Sequence, residues 1–178
     1  MHHPRPPRAS GFTLVEVLVV VLIIGVILSF AVLSIGSRSL DDQLEQEARR
    51  LYQILQLAHE EAESQNLQLG LRHSTAGYLF VVQGEQGRWQ PYAVGGPLRP
   101  RTLPAPLTIA LYVEGRSVPP ASDTADEDAS LDPHAYFLSS GEVTAFDVDL
   151  SAPGLPTYYR IQADAFGRLS QQRIELPP

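Results

Sequence analysis

Glu16 is the side chain whose setting most demands an explanation. It closes the stretch Gly11-Phe12-Thr13-Leu14-Val15-Glu16 and precedes a run from Val17 to Ser37 with no charged residue. A carboxylate at bilayer depth costs at least ~2.5–3.5 kcal/mol on insertion scales, so it is kept there by a partner or a function. Other residue types that do chemistry are scattered. The histidines are His2, His3, His59, His73 and His134, and His59 has no second histidine four residues away, so that helical zinc pattern is missing. Ser139-Ser140-Gly141 reads as a turn between strands, without the Gly-x-Ser-x-Gly elbow of a nucleophile. No Gly-x-x-x-x-Gly-Lys loop is present to cradle a phosphate. With no cysteine, thiol catalysis, disulfides and Cys-based metal sites are excluded. We expect no catalytic residue, no metal site and no cofactor.

The elements that position Glu16 follow from patterning. The 21 uncharged residues from Val17 to Ser37, wound as a helix, span roughly 31 Å, the thickness of a hydrocarbon core. Arg5 and Arg8 lie ahead of them with no acid, which favours a cytoplasmic N-terminus. An ordinary secretory signal would be shorter and end in small residues; Ser34-Ile35-Gly36-Ser37 is a poor version of such a site. A plain anchor fits the length but gives neither the Gly11–Phe12 junction nor Glu16 a reason.

Beyond it, Leu40, Leu44, Ala48, Leu51, Leu55, Ala58 and Ala62 recur at spacings of three and four, one apolar stripe. Acids and arginines between them, Glu47 and Arg50 included, form a solvated face. We expect one long helix from about Phe12 to Gln65. Strands are expected at Leu67–Leu71, Tyr78–Val82, Arg88–Gln90, Thr108–Val113, Ala135–Leu138, Thr144–Leu150, Tyr158–Ala163 and Leu169–Leu176, the last two joined by a turn at Phe166-Gly167. A long helix followed by antiparallel strands implies an α+β domain, its sheet laid on the amphipathic half-helix. The stretch 118–133 holds Asp123, Asp126, Glu127, Asp128 and Asp132 but no turning glycine for a calcium loop, and reads as a mobile acidic loop. Trp89 and Tyr92 read as core or loop-packing residues, with a partner contact as the alternative. Arg99 and Arg101 read as surface charges that could face an acidic neighbour.

Gly11-Phe12-Thr13-Leu14-Val15-Glu16 and its apolar run resemble the class III signal of type IV pilins and type II secretion pseudopilins. The resemblance implies that a prepilin peptidase cuts between Gly11 and Phe12 and methylates the new amine of Phe12. It also implies that Glu16 acts in assembly, paired with the Phe12 amine of a neighbour. On this reading residues 1–11 are a leader, 12–37 a transmembrane and filament-core helix, and 38–178 a periplasmic domain, with an amphipathic helix at 38–66 and strands through 67–178. Loss of Arg5 and Arg8 with the leader takes the formal charge from −7 to −9. So acidic a chain is not expected to bind nucleic acid.

Several downstream segments are similar to the H-type minor pseudopilins, the GspH group: Leu69-Gly70-Leu71-Arg72, Gly77-Tyr78, Trp89-Gln90-Pro91, Leu98-Arg99-Pro100-Arg101-Thr102-Leu103-Pro104 and Tyr136-Phe137-Leu138-Ser139-Ser140-Gly141-Glu142-Val143-Thr144. The last departs from the group in having Ser139-Ser140 where a proline is commoner. The similarity implies a pilin-like fold and a structural subunit near the tip of the type II secretion pseudopilus. There it would link tip subunits to the major pseudopilin shaft during export of folded proteins across the outer membrane. The implied partners are other minor pseudopilins, the major pseudopilin, the prepilin peptidase and the inner-membrane assembly platform, with the inner membrane crossed once. The alternative is a minor pilin of a type IV pilus, serving assembly priming, adhesion or DNA uptake, which a basic stripe on the domain would favour.

Overall fold

The computed structural model describes residues 14–35, 39–92, 96–121 and 131–176, with the side chains of the first segment described over 14–26. Two units result, divided after Ser39. The first holds helix α1, Leu14–Ile35, which runs through Gly25 without interruption. Of the long helix expected from Phe12 to Gln65, α1 and a second helix, α2 (Leu40–Ser64), are described; residues 36–38 lie outside the described residues.

Local chemistry accounts for both ends of α2. Asp41 and Asp42 stand in its first turn, where carboxylates complement the free N–H groups and the helix dipole. At the other end Asn66 takes a left-handed φ of 54° and the Leu67 amide donates to the Ala62 carbonyl at 2.9 Å, a Schellman-type stop. Between these ends Leu44, Ala48, Leu51, Leu55, Ala58 and Ala62 are all buried, with Leu40 partly so, as the stripe requires. Ile54 widens the stripe and is buried as well. Glu47 departs from the sequence reading: it is buried, not solvated, because Arg101 reaches it from a distant loop.

Among the described residues ten strands form two antiparallel sheets. The first has the order β3-β2-β1-β7, from β1 (Leu69–His73), β2 (Gly77–Gln83), β3 (Trp89–Pro91) and β7 (Ala135–Phe137), with β4 (Arg101–Thr102) also on β2. The second is β10-β9-β8-β5-β6, from β5 (Thr108–Val113), β6 (Arg116–Val118), β8 (Phe146–Ser151), β9 (Thr157–Ala163) and β10 (Leu169–Glu175). Strict alternation of burial along β8 and β9 turns one face of the second sheet to the core that α2 covers. Aromatic rings join the layers: Phe80 and Phe137 of the first sheet lie 6.3 Å apart, and Phe137 meets Phe146 of the second at 5.9 Å. Burying such rings supplies much of a core's stability.

Two strands were not anticipated. β4 sits in a proline-rich stretch and exists because Gly77 lets the Arg101 carbonyl come where a Cβ would be, pairing Gly77 with Thr102. β6 folds back on β5 through Glu114 (φ 49°) and Gly115 (φ 76°), both left-handed, the backbone of a tight two-residue hairpin. Both ends of the segment expected to be one mobile loop over 118–133 are held in the fold. Val118 belongs to β6, the Ala121 amide donates to the His73 carbonyl at 3.0 Å, and Pro133 is buried against Gly70. Asp123 to Asp128 lie outside the described residues.

Candidate functional site

Helix α1 exposes apolar surface all round. Leu14, Val15, Leu18, Val21, Leu22 and Ile23 each leave more than half of their surface open, and every described side chain from Leu14 to Val26 is exposed. A helix apolar on every face is stable only where lipid or other apolar helices cover it. Glu16 lies in its first turn, where helix polarity suits a carboxylate. Gly11 and Phe12, the expected processing junction, lie outside the described residues. Among the described residues no helix is long and apolar enough to cross a membrane, the side chains of α1 being described only to Val26.

In the second unit, α2 carries the polar contacts that tie distant loops to the core. Arg101 grips the Glu47 carboxylate with two guanidinium nitrogens, its Nε at 3.3 Å from Oε2, and that bond raises the Arg101 pKa. About four turns further along α2, the Tyr92 hydroxyl donates to Glu61 Oε1 at 2.9 Å; burial, then this bond, pushes its pKa up to about 12. His59 Nε2 meets the Gly141 carbonyl at 2.9 Å, and its ring occupies the space that a Cβ on Gly167 would need. His59 is thus a clasp between α2 and two turns. Ser139-Ser140-Gly141 is a turn, with the Gly141 amide bonded to the Leu138 carbonyl at 3.0 Å.

His73 and His134, 61 residues apart, come together unannounced by any spacing in the sequence. Their Nδ1 atoms lie 3.0 Å apart, and the His73 amide also donates to His134 Nδ1 at 3.2 Å. Burial, reinforced by His134, pushes the His73 imidazole down to about 4; burial and then Arg72 lower His134. Two neutral rings sharing one hydrogen bond make a latch between β1 and β7. No cluster of three or more metal-ligating side chains occurs among the described residues.

Trp89 and Tyr92 take different roles. Tyr92 is buried, whereas Trp89 is half-buried on the outer face of the first sheet, 5.6 Å from the Tyr136 ring. Alongside α2 runs an open groove of about 760 Å³, with Ile54 and Leu57 on its floor, Gly96 and Pro97 on one wall, and Arg50 and Arg99 beside them. Among the described residues, the polar side chains of this face hold elements of the fold together.

Comparison with known proteins agrees with this geometry. Residues 6–32 match the prokaryotic N-terminal methylation motif, and residues 47–167 match the family of the type II transport protein GspH. The chain is 31% identical over 172 residues to type II secretion system protein H of Aeromonas hydrophila, covering 93% of this chain and 94% of that one. It is 32% identical over 152 residues to protein H of Pseudomonas aeruginosa, covering 83% and 86%. The fold is that of the minor pseudopilin EpsH from the type II secretion system of Vibrio cholerae, with a TM-score of 0.62 and 26% identity over 79% of this chain and 98% of that one.

Proposed function

Because the chain belongs to the family of the type II transport protein GspH, a group of minor pseudopilins with a pilin-like fold, we propose that it is a structural subunit near the tip of a secretion pseudopilus rather than a catalyst. In this reading the prepilin peptidase cuts between Gly11 and Phe12 and methylates the Phe12 amine. Helix α1 anchors the subunit once in the inner membrane, with the second unit in the periplasm. On assembly the apolar helices leave lipid for a dry filament core, where Glu16 pairs with the Phe12 amine of a neighbour. A carboxylate left unpaired in such a core is costly, so the pairing fixes the axial offset between subunits. The subunit then links other minor pseudopilins to the major pseudopilin shaft through the assembly platform and supports export of folded proteins.

The observation that carries this is the all-round apolar exposure of α1 with one carboxylate in its first turn, joined to a compact second unit. That combination suits a subunit held by its helix and read by its domain. The test begins at the junction. Gly11→Val puts a branched side chain where cleavage needs none, and the chain should stay uncleaved in the inner membrane. Mature protein whose first residue is anything but a methylated Phe12 overturns the processing step. Failure to co-purify with the other pseudopilins overturns the placement.

A further inference from the structure

The groove beside α2 is positively charged on a protein that is otherwise acidic. Arg49, Arg101, Arg160, Arg168 and Arg173 each end on a carboxylate of the same fold. Arg50 and Arg99, which line the groove, meet no carboxylate among the described residues. The Arg50 Nε is buried, and its guanidinium acts on the buried Tyr78 hydroxyl on the core side of α2. Between the two cations lies the apolar floor of Ile54 and Leu57, and Glu60 is the acid that lines the same groove.

Taken together, the unanswered cations and the apolar floor specify the chemistry of what fits. We propose that this groove receives a segment of a different, neighbouring filament subunit, one that carries carboxylates flanking an apolar side chain. The carboxylates answer Arg50 and Arg99, and the apolar side chain covers Leu57. This rests on the reading of the chain as a filament subunit, which it deepens by naming the face and the chemistry of the contact.

The experiment uses the full chain in cells that carry the secretion machinery, with a photo-crosslinking benzoyl-phenylalanine at the exposed Gln53 of the groove. Arg99→Glu is the principal variant because that side chain is exposed and its reversal leaves the core untouched; Arg116→Glu, on the β5–β6 hairpin, is the control. The expected result is a crosslink to another pseudopilin, mapped by mass spectrometry to an acidic segment. Its yield should fall about tenfold with Arg99→Glu, since a close attractive pair becomes a repulsive one, stay level with Arg116→Glu, and return when the partner's acid is changed to arginine. A crosslink to a second copy, to lipid or to a segment without acids overturns the proposal. So does an Arg99→Glu yield equal to wild type. If wild type itself is not recovered with other pseudopilins, the filament reading falls, and this inference with it.

Discussion

Replacing Arg101 by Met strands the Glu47 carboxylate, and the cost follows from how deeply the pair is set. The side chain of Glu47 is 10% exposed and that of Arg101 28%. Breaking a fully buried pair costs ~3–5 kcal/mol, whereas exposed pairs contribute no more than about 1 kcal/mol. With the guanidinium a quarter exposed, about 2 kcal/mol is the reasonable figure, which for a domain of this size lowers Tm by roughly 4–8 °C. Glu47→Leu should cost less, near 1 kcal/mol, because the freed arginine can turn to water. The double variant, apolar on both sides, should return to within about 1 kcal/mol of wild type, since two matched apolar groups leave nothing unpaired. The assay is urea and thermal unfolding of residues 39–178, which contain the entire buried core, run as a double-mutant cycle. A coupling energy below ~0.3 kcal/mol, with single effects simply adding, would show that the pair does not hold the Leu98–Leu103 loop to α2.

Residues 39–178 alone should unfold cooperatively, and Leu55→Asp, at a position with 0% exposure, should leave them unfolded or insoluble in circular dichroism; an equally stable variant would displace α2 from the core. Stability should fall with acidity between about pH 6.5 and 4. Unfolded His73 takes a proton near the ordinary histidine value of about 6.5, while the folded ring resists until about 4, so the unfolded state binds more protons across that window. His73→Gln should flatten the slope, and a wild-type stability independent of pH there would refute the latch. Glu16→Leu should insert into the membrane as well as wild type yet enter the pseudopilus less; unchanged recovery at the tip would remove the pairing role of Glu16.

What was legible in the sequence is what depends on local period. The α2 stripe was read residue by residue, and β5 has the bounds Thr108–Val113 that alternation implied. What was not legible depends on approach between segments far apart in the chain. Nothing near Glu47 announces Arg101, 54 residues on, so a charged residue on a polar stretch was read as solvated. The His73–His134 latch is hidden for the same reason. β4 exists only because Gly77 admits a carbonyl from a loop that proline made look irregular. β6 did leave a signal, Glu114-Gly115 between two extended runs, which the acidic stretch after it obscured. Arg99 reads from sequence as a surface charge and Arg50 as part of a solvated face, but their common groove required α2 and the Gly96–Arg99 segment to meet.

The rims of the two sheets limit how another chain can add to this protein. An unpaired strand rim is a template for adding another chain, the route to amyloid-like growth. Here each rim is blunted. β3 is three residues long and ends in Pro91; β7 is as short. β6 also has three residues and runs into Pro119-Pro120, while β10 carries Arg173 tied to Asp41 of α2 at 3.3 Å. Proline, brevity and a tethered charge make strand addition unfavourable on every side. Growth by backbone ladders, which has no natural end and is slow to reverse, is closed off. Contacts through side chains remain, as the proposed role in a filament that is built and taken apart requires.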